Sequence, residues 1–287
     1  MWESPNAGHA RSWARHARRS SYQSRKAEGD RALVGAVDAL RTKHKRSGYR
    51  GIWIRLRRAG WSVNRKRVHR IWKAEGWQIR TRRRKRRARG SSENSCTVRR
   101  ADYRGHVWSY DFVLDRTERG GMLKFLPVLD EYTREAHALE VGRSFTSEDV
   151  VAVLLHLFRV HGEPRYLRSD NGPEFIARIV RDGLEAAGVK TLLIAPGSPW
   201  ENGYVESFNS RLRDEFLDRE PFTDVREAAV LAEHYRVAYN LERPHMSLGY
   251  RTPAEFAASL ESTSILPRAA GEALDSPGVG EALLTLS

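Results

Sequence analysis

Val107-Trp108-Ser109-Tyr110-Asp111-Phe112-Val113 alternates in the manner of a β-strand. Trp108, Tyr110 and Phe112 share one face; Ser109 and Asp111 share the other. An acid therefore stands in the middle of an aromatic strand, on the face opposite its aromatic neighbours. Two further strands are expected at 122–129 and 135–141. Thr146 opens a helix through His161, with Asp149 placed to complete a capping box. Tyr166 to Ser169 reads as a short strand that runs into the turn Asp170-Asn171-Gly172-Pro173. Pro173 suits the first turn of another helix, to about Ala187. Thr191 to Ile194 is a strand. After a loop from Ala195 to Trp200, a helix starts near Asn202 with Val205, Phe208, Leu212 and Phe216 as its apolar stripe. A last helix covers Val225 to Tyr239, and residues 262–287 read as a loose tail. Three strands, helix, strand, helix, strand, helix is a mixed α/β layer pattern, not an alternating Rossmann one.

Toward the N-terminus the texture changes. Residues 1–28 are basic and polar. Asp30 to His44 reads as a helix with Leu33, Val37 and Leu40 on one face and Asp30 as N-cap. Gly48-Tyr49-Arg50-Gly51 breaks it. Ile52, Trp53 and Leu56 mark a second helix that ends near Gly60. Asn64 caps a third, whose inner face is Val68, Ile71 and Trp72 and whose stop is Gly76. Arg65, Lys66, Arg67, His69, Arg70 and Lys73 are left for its outer face. Three short helices with a turn between the last two fit a helix-turn-helix. Arg80 to Arg89 follows, eight of ten residues cationic, among them Arg82, Arg83, Arg84, Lys85, Arg86 and Arg87. Such a block repels itself and is extended without an anion. Residues 90–100 continue as a polar linker.

Charge divides the chain. Residues 1–105 carry 31 Lys and Arg against 7 Asp and Glu; residues 106–287 carry 19 against 29. The overall charge of +14 thus hides a net of +24 followed by a net of −10. The first half is built to meet a polyanion, for which phosphate is the obvious partner. No apolar run approaches the ~20 residues that span a bilayer, and the N-terminus lacks the apolar centre of a signal peptide, so a cytoplasmic location is expected. The single cysteine, Cys96, excludes an internal disulfide framework and a thiolate zinc site.

Chemistry on a phosphodiester needs two hard cations ~3.5–4 Å apart, held by a few carboxylates at strand ends or a helix start. Asp111 fits, as does Asp170 at the end of a short strand. Glu206 fits on the polar face that it shares with Asn202, Asn209 and Arg213. Taken singly each has an ordinary reading: a solvated strand-edge acid, a common Asp-Asn-Gly turn, a surface glutamate. Glu201 competes with Glu206 as third ligand, although it is equally suited to act electrostatically at the helix start. Glu174 is normal in a first helical turn. His245 and Trp200 are as easily structural as functional.

Together the residues form a pattern. Tyr110-Asp111, then Ser169-Asp170-Asn171-Gly172-Pro173-Glu174-Phe175, then Pro199-Trp200-Glu201-Asn202-Gly203-Tyr204-Val205-Glu206-Ser207-Phe208 resemble the Asp, Asp and Glu blocks of retroviral integrases and their bacterial relatives. Thirty-five residues separate Asp170 from Glu206, the spacing of that superfamily, and Arg213 matches its basic residue seven positions after the glutamate. Tyr239 to Pro253 resembles the end of the same core. Gly48 to Gly76 resembles the helix-turn-helix that precedes it in transposases of the insertion-sequence-three family, on the second reading frame.

The resemblance implies a ribonuclease H-like integrase core, a mixed five-stranded sheet flanked by helices, behind a small all-α domain. It divides the chain into a basic arm (1–29), the helix-turn-helix (30–78), a basic linker (79–104), the catalytic core (105–260) and a tail (261–287). It implies a DNA transposase in which Asp111, Asp170 and Glu206 hold two Mg²⁺ (or Mn²⁺) for 3′-end cleavage and strand transfer. Arg65, Lys66, Arg67, Arg70, residues 82–87 and Arg213 would grip double-stranded DNA. A bacterial, nucleoid-associated setting and a homo-oligomer on DNA go with it. In that family the transposase is usually fused to an upstream frame with a second helix-turn-helix and a leucine zipper; this chain has no heptad segment, so an upstream-frame subunit is an expected partner. A nuclease of the same fold and a catalytically dead regulator are the rival readings; the basic helical half argues against the first and the complete triad against the second.

One expectation follows from charge alone. Binding of duplex DNA by residues 1–105 should weaken steeply with salt, with a log–log slope near −0.9 per phosphate neutralised. Replacing the basic residues of 80–89 by alanine should flatten that slope, and an unchanged slope would show that the run does not touch DNA.

Overall fold

The structure is a computed structural model, and it describes residues 30–78, 100–170, 172, 175, 177–193 and 202–264. The basic arm, the run 80–89, Cys96, Asn171, Pro173, Glu174, Ile194, the loop 195–200, Glu201 and the tail beyond Ser264 lie outside the described residues.

Three helices form first: α1 (Arg31–Lys43), α2 (Tyr49–Arg58) and α3 (Arg65–Ala74). They close on a core of Leu33, Val37, Ile52, Leu56, Val63, Val68, Ile71 and Trp72. Asn64 caps α3 by accepting from the Lys66 N–H at 2.8 Å, and Gly76, at φ +68, turns the chain out of it. Two expectations fail here. Tyr49-Arg50-Gly51 lies inside α2, whose N-cap is Gly48; the break comes earlier, at His44 to Arg46. Asp30 makes no side-chain cap on α1. Its carboxylate instead accepts from Arg67 Nε at 2.7 Å and Arg70 Nη2 at 2.9 Å. Two of the cations expected to face outward on α3 thus tie it to the start of α1.

The sheet begins at β1 (Val107–Tyr110), followed by β2 (Val113–Arg116), β3 (Met122–Asp130), β4 (Ala136–Gly142), β5 (Tyr166–Ser169) and β6 (Lys190–Leu193). The strand expected over 107–113 is interrupted at Asp111-Phe112, so six strands appear in place of the five expected. The register explains the difference. Tyr110 lies opposite Val128 and Val113 opposite Phe125, the same offset on β3 across the gap. β1 and β2 are two ends of one antiparallel strand whose ladder lapses at Asp111. β4 pairs with the same β3, while β5 and β6 continue from β1 in parallel. The aromatic alternation is not an inside–outside alternation either. All four residues of β1 are buried, because the strand is central and both faces are covered.

One face carries α4 (Ser147–His161) and α5 (Arg178–Ala186), packed on Trp108, Tyr110, Leu126, Val128 and Leu167. The capping box is present: Thr146 and Asp149 bond to each other's backbone N–H. α5 is described from Arg178, and Phe175 before it is helical too; Pro173 and Glu174, expected in the first turn, lie outside the described residues. The other face carries α6 (Gly203–Leu212), a π-helical turn (Arg213–Leu217) and α7 (Val225–Glu242), packed on Val113, Leu123, Phe125 and Leu139. The π turn has no counterpart in the sequence reading; it sets Phe216 and Leu217 side by side in the core. Asn240 grips β4 through both amide atoms, each 2.9 Å from the Ala136 backbone. α8 (Pro253–Ser264) is also new, and it runs into the stretch read as a tail. No helix of the described residues is long and apolar enough to cross a membrane.

The helical domain leans on the last part of the core. Arg58 bonds the Glu255 carboxylate at 2.5 Å and the Tyr250 carbonyl at 3.1 Å, and Trp53 meets Tyr250 edge-on at 5.8 Å. Domains this small are marginal alone, and the contact props the three helices against a larger body.

Beneath β1 lies a buried ion pair. Arg168 on β5 is 3.0 Å from both carboxylate oxygens of Glu131, and both side chains are at least 96% buried. The Glu131 N–H in turn donates to the Val107 carbonyl at 3.0 Å. Burial pushes the Glu131 carboxyl up, to about 7, against the pull of Arg168 and Arg134. Removing one member strands the other as an uncompensated buried charge, at a cost of ~3–5 kcal/mol. Arg168→Ala should lose about that much in urea unfolding; a loss below ~1 kcal/mol would show that the pair does not secure β5.

Candidate active site and nucleic-acid interface

Asp111 sits where the β1 ladder lapses. Val107 lies opposite Tyr166 and Ser109 opposite Arg168 on the parallel strand β5. Continued by two residues, this register sets Asp111 beside Asp170, so two acids leave the sheet side by side at the carboxyl ends of adjacent parallel strands. Asp170 is exposed; its Oδ1 accepts from the Gly172 N–H at 2.9 Å. Asp111 is half-buried. Its Oδ1 accepts from the Phe112 N–H at 2.8 Å, and its Oδ2 from the Asn209 amide at 2.9 Å.

Asn209 comes from α6, three residues beyond Glu206 and on the same side of the helix. α6 buries Val205, Phe208 and Leu212, which leaves Glu206 exposed on the side that meets Asp111. The Asp111 carboxyl is pushed up to about 6. Burial is the largest cause; the Phe112 N–H and Asn209 pull it down, while the nearby charges of Asp170 and Glu206 push it further up. All three acids are thus within electrostatic reach of one point. They do not close on it: among the described residues, no three His, Cys, Asp or Glu side chains stand close enough to share one ion. The cause is physical. Like charges at one place repel, and Asp111 and Asp170 each turn to a donor of their own.

The site also contains an orphan. Asn209 Oδ1 is buried without a hydrogen-bond partner among the described residues, while its amide nitrogen holds Asp111. A buried unpartnered acceptor next to Asp111 adds a hard oxygen of the kind that suits Mg²⁺ or Mn²⁺ with some of its waters retained. The sequence places Asn209 on the polar face with Glu206 but gives it no part; its one signal is the spacing of three.

Of the cations expected to meet DNA, Arg65 and Lys66 are exposed at the start of α3, whereas Arg67 and Arg70 share Asp30. Arg213 is exposed on the π turn, with one Nη bond of 3.2 Å to the Leu114 carbonyl. His245 is partly buried at the end of the core. Burial, then Arg243, hold it at about 3, so it stays neutral, 3.3 Å from Arg243 Nη1. Arg243 grips Glu215 through two bonds of 2.8 Å.

Comparison with known proteins places these features. Residues 102–199 and 187–253 match two descriptions of the integrase core domain, and residues 28–85 match a helix-turn-helix-like domain. The chain is 34% identical over 248 residues to an uncharacterized 31.7 kDa protein of insertion element IS407 from Burkholderia multivorans, covering 86% of this chain and 88% of that one. It is 35% identical over 228 residues to an uncharacterized 39.2 kDa protein of insertion element IS476 from Xanthomonas euvesicatoria, covering 79% of this chain and 65% of that one. Transposase InsD of insertion element IS2 from Escherichia coli is 29% identical over 222 residues, 73% of this chain and 72% of its own. Among solved structures, a chain of the simian T-cell lymphotropic virus intasome aligns with a TM-score of 0.49 at 15% identity, over 86% of this chain and 80% of that one.

Proposed function

The chain belongs to the insertion-sequence-three family of transposases, enzymes with an integrase-type catalytic core, and on that premise we propose that Asp111, Asp170 and Glu206 form one two-metal site for DNA cleavage and strand transfer. The observation that carries the reading is the parallel register of β1 with β5, which brings Asp111 beside Asp170, with Glu206 coupled to the same carboxyl. Two Mg²⁺ or Mn²⁺ ions, when bound, supply charge stabilisation at the scissile phosphate and activate the attacking oxygen.

The chain's own residues do the rest. Asn209 and the Phe112 N–H orient the Asp111 carboxylate at the strand end. The Gly172 N–H does the same for Asp170. Glu206 hangs on the exposed face of α6 and reaches inward once the repulsion between the acids is relieved. A water attacks a phosphodiester at the element's end and frees a 3′-hydroxyl; that hydroxyl attacks a target phosphodiester, its oxygen bonding to the phosphorus while the 3′-oxygen of the target strand leaves. Neither step needs a serine or tyrosine nucleophile. Arg65, Lys66 and Arg213 meet phosphate, and the run 80–89 adds unspecific grip. Arg67 and Arg70 contribute charge at longer range while they hold Asp30. The partners are double-stranded DNA at the element ends and target, other copies of the chain, and an upstream-frame subunit.

Asp111→Asn, Asp170→Asn and Glu206→Gln should each abolish metal-dependent 3′-end cleavage with the upstream partner supplied, and leave DNA binding intact. An amide keeps the shape and removes the charge that holds a hard dication. The same variants should lose the heat of Mn²⁺ binding in calorimetry, a readout independent of turnover. The three losses should not add, because the residues act as a unit. Glu201→Gln is the control. Cleavage surviving Glu206→Gln but not Glu201→Gln would reassign the third ligand; cleavage surviving Asp111→Asn or Asp170→Asn would remove the two-metal reading.

A further inference from the structure

Between the helical domain and the core lies a cleft of about 880 Å³ that the carboxylate site does not use. Its walls are cationic. Arg46, Arg50 and Arg55 come from the helical domain; Arg134, Arg211 and Arg243 come from the core. Glu215 is the one acid among its described lining residues, and Arg243 already neutralises it. Tyrosines stand between the arginines: Tyr49 and Tyr250 on one side, Tyr204 on the other, with the Arg134 guanidinium 3.9 Å over the Tyr204 ring.

We propose that this cleft binds a short unpaired stretch of a DNA strand, phosphates on the arginines and bases against the tyrosines and guanidinium planes. Interleaved cations and aromatic rings are how single strands are held without regard to sequence. The excess of positive charge is legible in the titration of its surroundings. Arg55 is held down to about 10, by burial first and by Arg243 next, and His44 to about 4, by burial first and then by Arg55.

Placement gives the cleft its use. Tyr204, Ser207 and Arg211 recur on α6 at intervals of three and four and line the cleft, while Glu206 and Asn209 project from another side of the same helix toward Asp111. One helix is therefore the common wall of the carboxylate site and the cleft. A strand whose end is frayed for cleavage leaves the duplex and lies along α6. That use rests on the strand-transfer reading; binding in the cleft does not.

The test is made on the full chain without metal, in EDTA. A labelled 12-nucleotide single strand and the matching duplex are titrated by fluorescence anisotropy. The double variant Arg46→Ala, Arg211→Ala changes two exposed side chains and should weaken the single strand at least tenfold and the duplex less than twofold. The salt slope for the single strand should fall by about 0.7 for each phosphate that is no longer neutralised. Arg211→Glu is the second variant and should weaken the single strand further. Asp111→Asn should bind the single strand as the unaltered chain does, which separates failure of the cleft from failure of the metal site. Photocrosslinking with a 5-iodouracil strand should place the adduct on peptides containing Tyr49, Tyr204 or Tyr250, and the single strand should compete for it better than pyrophosphate. Equal losses for strand and duplex, no loss in either variant, adducts confined elsewhere, or equal competition by pyrophosphate would each overturn the proposal.

Discussion

The core depends on the parallel pairing of β1 with β5. Three residue pairs, from Val107–Tyr166 to Ser109–Arg168, fix where two chain segments about 60 residues apart emerge from the sheet. A slip of one residue would turn Asp111 or Asp170 to the opposite face. The fold defends the register from below. Glu131 binds β1 through its backbone N–H and β5 through its carboxylate, and so staples the two strands together. Both ions of that staple are buried, a costly arrangement that is tolerated only when geometry and hydrogen bonds are good. Its place under the strands, rather than at the acids, fits a part in alignment and not in chemistry.

The acids at the strand ends show the opposite arrangement. Burial and mutual repulsion make the Asp111 carboxyl a poor anion, and among the groups that shift it no cation brings relief; only the Phe112 N–H and Asn209 do. The strain is local. Behind it Trp108, Tyr110 and Leu167 form a close-packed layer under α4 and α5, and Val205, Phe208 and Leu212 anchor α6 on the other face. Rigid elements thus bring unfavourable charges together, which is how a site prepared for a cation is expected to look before the cation is considered.

Much of this is readable from residue order. The capping box at Thr146, the Asn64 cap, the stripe Val205-Phe208-Leu212-Phe216 and the short strand before Asp170 are local signals, and local physics settles them. What escapes is non-local. That both faces of β1 are buried depends on β3 and β5 flanking it, which the alternation of Trp108 and Tyr110 does not reveal. The lapse at Asp111 is visible only when the register on β3 is known. Asp30 looks like an N-cap because the residue type is right; the competition from Arg67 and Arg70, 37 and 40 positions away, is a tertiary fact. The π turn and α8 leave no signal in periodicity. Of the candidate site, the spacing of the acids carries the reading, while Asn209 needs the structure to show its bond to Asp111.

The same contrast explains how a chain with a net +24 half and a net −10 half is put together. Opposite net charges would favour collapse of one half onto the other; among the described residues the contact between them includes a few defined pairs, Arg58 with Glu255 and Trp53 with Tyr250. Where the halves meet around α6, cations face cations: Arg46 and Arg55 from one side, Arg243 and Arg211 from the other. Folding alone does not favour that juxtaposition, because like charges brought together in a partly buried space repel. The helical domain is held there by Arg58, Trp53 and their partners in spite of the cleft. A repulsive wall maintained by contacts at its rim is stabilised when a polyanion fills it, so anion binding and the docking of the two domains are thermodynamically linked: each strengthens the other by the same amount.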